Sequence, residues 1–143
     1  MEQDPEMLEA FKEEILVIKN ELQPIVEGLK ASYDKGEPFE KFGQVIDRIY
    51  GTASTLGFME MANYCRTIKS VSYKCSQSDN MYAKGIVKGL CINAFGYLDN
   101  FSKLIMKPTE LRKIQYSMQK DCEAAMQLDK TVLADIKRSS AKN

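Results

Sequence analysis

An all-α fold is predicted by two features of this sequence. Apolar residues recur at spacings of three and four almost throughout, and no stretch of β-branched residues alternates with polar ones. The first helix is expected to begin near Pro5, a residue suited to a first helical turn, and to bury Leu8, Phe11, Ile15, Ile18 and Leu22. Pro24 donates no amide, so the helix kinks or restarts there before Ile25, Val26 and Leu29 continue the apolar face. Gly36 and Pro38 mark a break over Asp34 to Pro38.

A second helix is expected from about Phe39 to Leu56, stopped by Gly57 in a left-handed conformation. The third runs from Phe58 to about Tyr73 with Phe58, Met61, Ala62, Cys65 and Ile68 inward. Cys75 to Asn80 is polar and turn-like, and Ser78 is a candidate N-cap. The fourth helix, about Asp79 to Met106, places Ile86, Leu90, Asn93, Tyr97, Phe101 and Leu104 near one side, weakened by Gly85, Gly89 and Gly96. Pro108 opens a last helix carrying Leu111, Ile114, Met118, Cys122, Ala125, Leu128, Val132 and Ile136; it either packs on the bundle or seals a homodimer through residues 108–138. Arg138 to Asn143 is polar and expected to fray. Residues 1–106 would form the helical body and residues 107–143 the additional helix and its tail.

Composition narrows the function. Lys plus Arg equals Asp plus Glu at 20 each, so no net field favours nucleic acid or an anionic membrane. The charge is uneven, with an acidic first segment and a more basic last one, which allows complementary packing of the two ends. There is no apolar run of about 18 residues, and the N-terminus is acidic where a signal peptide would be positive and then apolar; a cytoplasmic protein is expected. Cys65, Cys75, Cys91 and Cys122 make no C-x-x-C pair and the chain has no histidine, so buried thiols are expected rather than a metal site or disulfides. No nucleophile has a histidine base, and phosphate loops and dinucleotide fingerprints are absent, so neither an enzyme nor a cofactor is expected.

The second helix carries the most specific signal. Ile46, Ile49, Ala53 and Leu56 form an inward stripe, while Asp47, Tyr50, Gly51 and Ser54 fall on the outward side. Gly51 lies mid-helix, where it costs stability, yet it clears space one turn beyond Asp47. A surface stripped of bulk beside a polar residue suggests approach by another molecule. Met59 and Met61 extend an adaptable apolar patch or fill the core, and Tyr73 and Tyr82 are expected to be structural.

The stretch D-R-I-Y-G-T-A-S-T-L-G-F, Asp47 to Phe58, resembles the active helix of histidine phosphotransfer (HPt) domains, H-x-x-K-G followed by small residues and L-G. The resemblance extends over about Phe11 to Phe101, with Gly51, Ala53, Leu56, Gly57, Phe58, Ala62 and Cys65 in matching places. It implies an antiparallel four-helix bundle, here with an added C-terminal helix. It puts Asp47 where the phosphorylated histidine would stand and Tyr50 where the phosphate-supporting lysine would stand. An aspartyl phosphate does not substitute for a phosphoimidazole, so transfer by the family route is excluded. The resemblance then implies a pseudo-HPt protein in two-component signalling. It would bind a response-regulator receiver domain, or a histidine-kinase-related protein, as adaptor or competitor through Asp47, Arg48, Tyr50, Gly51, Ser54 and Thr55. The alternative is a structural module that oligomerises through its C-terminal helix.

Overall fold

The computed structural model describes residues 4–136. These residues are helical with no strand, in the order α1 (Pro5–Ala31), α2 (Glu37–Ile46), α3 (Arg48–Thr55), α4 (Met59–Ser76), α5 (Met81–Leu104) and α6 (Pro108–Lys130). Asp4 caps α1, its Oδ1 accepting the Glu6 amide at 2.8 Å, and Pro5 takes the first helical position, where no amide is needed. Pro24 does not end α1. Leu22, Val26 and Leu29 are buried on either side of it, and that burial outweighs the one hydrogen bond a proline withholds.

The expected second helix is divided at Asp47. Asp47 nevertheless keeps right-handed dihedrals (φ −65°, ψ −18°), and its amide donates to the Gly43 carbonyl at 3.1 Å, so the chain passes directly from α2 into α3. Gly57, at φ 87°, closes α3 as expected. Its amide donates to Ser54 O at 3.1 Å and that of Phe58 to Ala53 O at 2.8 Å, the paired bonds of a Schellman stop.

Helix α1 packs on α2, α3 and α5; α4 packs on α2, α3, α5 and α6; and α6 lies on α4 and α5. Among the described residues the ion pairs that α1 makes with other helices run to α5 and α3, Lys19 reaching Asp99 and Glu21 receiving Arg48, and the expected complementary packing of the two charged ends is not among them. The apolar stripe of α6, Leu111, Met118, Cys122, Ala125 and Leu128, is buried within the chain. Polar contacts help to hold it there, among them Asn93 Nδ2 donating to Asp121 Oδ2 at 3.0 Å and Lys74 paired with Asp129.

Several sequence expectations are corrected. Helix α4 runs on through Ser76, burying Tyr64, Val71, Ser72, Lys74 and Cys75 as well as the foreseen Met61, Ala62, Cys65 and Ile68, because α6 covers a second side of it; Phe58, also expected inward, precedes the helix as its N-cap and is only partly buried. Asn80 rather than Ser78 caps α5, accepting the Ala83 amide at 3.0 Å, while Ser78 Oγ accepts the Asn80 amide. The inner face of α5 is Ala83, Val87, Leu90, Cys91, Ala94, Leu98 and Phe101, and Asn93 is exposed. Small residues on that face let the helix approach its neighbours, and the bulky Ile86, Tyr97 and Leu104 sit at its margins. Tyr82 is 69% exposed and so supports no packing. The last helix ends at Lys130: Thr131 Oγ1 donates to Gln127 O at 2.8 Å, and the chain turns so that Leu133 is wholly buried while Val132 stays exposed. The expected end near Arg138 and the polar tail lie outside the described residues.

Asp99 sits between two lysines, Oδ1 at 2.9 Å from Lys19 and Oδ2 at 3.0 Å from Lys103. The hydrogen bond from Lys19, then that from Lys103, holds its carboxyl below the ordinary aspartate range. A depressed folded-state pKa gives stability that is present above the unfolded value and lost as pH falls through the folded one. Wild type is expected to lose up to about 1 kcal/mol more than Asp99→Asn between pH 6 and pH 3, read from urea midpoints. Equal losses in the two proteins would show the bridge to be inert.

Candidate functional site

Asp47 stands at the junction of α2 and α3 with its carboxylate facing α4. Oδ1 accepts from Arg66 Nε at 3.2 Å and Oδ2 lies 3.3 Å from Lys69 Nζ. Both cations come from α4, and the adjacent Arg48 is not a partner. Arg48 is turned toward α1 and forks onto Glu21, at 2.6 Å to Oε1 and 3.1 Å to Oε2. That hydrogen-bonded pair raises the Arg48 pKa and lowers that of Glu21. Helical geometry accounts for the split, since one residue advances the chain by about 100° around the axis.

Tyr50 is half-buried against the core, and the guanidinium carbon of Arg66 lies 3.7 Å from its ring centroid. This is a cation–π contact, and one arginine therefore joins Asp47 and Tyr50. Gly51 is exposed, and a Cβ built there meets no atom within 4 Å. Thr55 is exposed too, its Oγ1 donating to Gly51 O at 3.0 Å. Ser54 departs from expectation: it is half-buried, and its hydroxyl is shielded from solvent without a hydrogen-bond partner, so it presents no polar group outward.

The six predicted residues thus divide. Asp47 and Tyr50 look toward α4, while Arg48, Gly51 and Thr55 line an open groove of about 570 Å³ against α1, whose other wall includes Met7, Ala10 and Glu14. Sequence reasoning missed Arg66, Lys69 and Glu21. The one available signal was Arg66 and Lys69, two cations a turn apart on a helix otherwise rich in buried residues.

Nearby thiols take no part in this surface. Cys65 is wholly buried, 3.6 Å from Met61 Sδ, and burial pushes its pKa up. Burial likewise pushes Cys75 and Cys91 to about 12, and all four cysteines are free, so at neutral pH these are protonated packing residues. Met61 is wholly buried, which makes it core, whereas Met59 is exposed. Among the described residues no group of three or more Cys, Asp or Glu is arranged to hold a metal ion, and no helix is long and apolar enough to cross a membrane.

Comparison with known proteins finds no matching family model, no matching curated protein and no matching solved structure.

Proposed function

We propose that this chain is a pseudo-HPt protein: a bundle of four antiparallel helical rods, α1, α2–α3, α4 and α5, with α6 added, that binds a receiver domain or a related signalling partner without phosphotransfer. It acts as adaptor or competitor, through Asp47, Arg48, Tyr50, Gly51 and Thr55. The neighbour relations fit that arrangement, since α1 and α4 each touch both the α2–α3 rod and α5. With the stripe of α6 spent inside the chain, no second copy is needed to cover it.

The observation that carries the proposal is the open space at Gly51. A mid-helix glycine costs up to about 1 kcal/mol relative to alanine, and nothing in the packing of the described residues requires it at this position. Gly28, Gly89 and Gly96 are equally open, so space alone singles out none of them. Gly51 differs in lying one turn from Asp47 and lining the groove against α1. Close approach by a partner accounts for all three features. Tyr50, in the place the resemblance gives to a lysine, carries a cation on its face all the same, supplied by Arg66 from α4.

Gly51→Arg tests this directly. Its side chain has room in the free protein and a better helix propensity, so the fold should be kept, with stability unchanged or raised by up to about 1 kcal/mol. Binding to purified receiver domains, measured by calorimetry, should weaken by at least about 100-fold, or about 2.7 kcal/mol. Undiminished binding by the folded variant would remove this face from the interface.

A further inference from the structure

Two cations converge on one carboxylate at this face. Asp47 divides its oxygens between Arg66 and Lys69, so the three groups carry a formal surplus of one positive charge. Arg66 is held in place by two contacts, the Nε bond to Asp47 and the stacking on Tyr50. These leave its two terminal nitrogens with no hydrogen-bond partner among the described residues, on a side chain that is 54% exposed. A guanidinium fixed at one edge and open at the other suits recognition of an oxyanion, because less side-chain freedom is lost when the second partner arrives.

We infer that Arg66 and Lys69 form an oxyanion-binding site whose resident ligand is the chain's own Asp47 carboxylate, and that an oxyanion of the docking partner is bound by the open edge of Arg66. The inference rests on the reading of this face as a docking surface. The shared chemistry is a phosphoryl or carboxylate group. Asp47 both positions Arg66 and competes with the incoming anion, so it sets the affinity below what two free cations would give. Glu21 does not enter the balance, being neutralised by Arg48 on the side of α3 that faces α1.

The test is titration of the isotopically labelled protein with inorganic phosphate, and separately with acetate, at constant ionic strength, followed by amide chemical shifts. Wild type should show weak, saturable shifts at Asp47, Tyr50, Arg66 and Lys69. Asp47→Asn, which frees both cations, should tighten phosphate binding about threefold to fivefold, and Arg66→Gln should weaken it by a similar factor. Shifts with phosphate alone assign a phosphoryl group, and shifts with both anions assign a carboxylate as well. Unchanged affinity in Asp47→Asn together with unchanged affinity in Arg66→Gln would overturn the site, since a purely structural ion pair predicts that result. Receiver binding by Gly51→Arg is read on separate samples. Loss of the anion response with Gly51-dependent docking intact overturns the anion site alone, and the reverse overturns the docking surface alone.

Discussion

Phe101→Ala is expected to cost about 3–5 kcal/mol of folding stability, the largest effect of any single change considered for this chain. Phe101 of α5 is wholly buried and meets two other rings edge-on: Phe11 of α1 at 6.0 Å between centroids and 73°, and Phe58 at 5.3 Å and 80°. Phe11 and Phe58 are themselves 5.7 Å apart, so the three rings join α1, α5 and the residue that enters α4. Truncation removes the transfer free energy of one ring and two edge contacts, and it leaves a cavity that three separate helices cannot all move to fill. Urea unfolding should show a lower midpoint at unchanged slope, and melting should fall by roughly 10 °C. A loss below about 1.5 kcal/mol would mean that the aromatic cluster collapses around the gap. The same cluster fixes the end of α3, because Phe58 directly follows Gly57 and packs against Phe11 and Phe101.

Gly36→Ala is expected to destabilise the protein by about 1–3 kcal/mol. The reason is space rather than conformation: Gly36 has ordinary right-handed dihedrals (φ −79°, ψ −30°). A Cβ there would lie 2.2 Å from the Ser76 carbonyl oxygen and 3.0 Å from its carbon, and both are backbone atoms at the end of α4. No rotamer change relieves that overlap, so the connection between α1 and α2 must lift away from α4. The buried Lys84, whose Nζ donates to Asp34 O at 2.6 Å, ties down the same connection and would lose its partner as the loop moves. Gly51→Ala supplies a contrast of opposite sign, neutral or stabilising by up to about 1 kcal/mol. If Gly36→Ala were as stable as wild type in denaturant, the loop would not be clamped against α4.

The candidate surface was only half legible. Asp47, Arg48, Tyr50, Gly51 and Thr55 could be drawn from one helix, because residues three and four apart share a face. Which neighbour each would meet could not. Asp47 meets Arg66 and Lys69, 19 and 22 positions along the chain. Ser54 looked outward on the helical wheel but has its hydroxyl shielded where α3 ends.

By itself the sequence determined the all-α class, the buried stripe of α1 from Leu8 to Leu29, the proline start of α1 and α6, and the left-handed stop at Gly57. These depend on the period of apolar residues and on backbone limits that hold within a few residues of chain. Only the tertiary structure decided that α4 is buried on more than one side, that Lys74 and Lys84 lie in the interior, that α6 ends early to bury Leu133, and that two cations close on Asp47. Each of those depends on which helices are neighbours and how they cross. Hydrophobic periodicity says that a face is covered, but the covering element is selected by the packing of the whole chain.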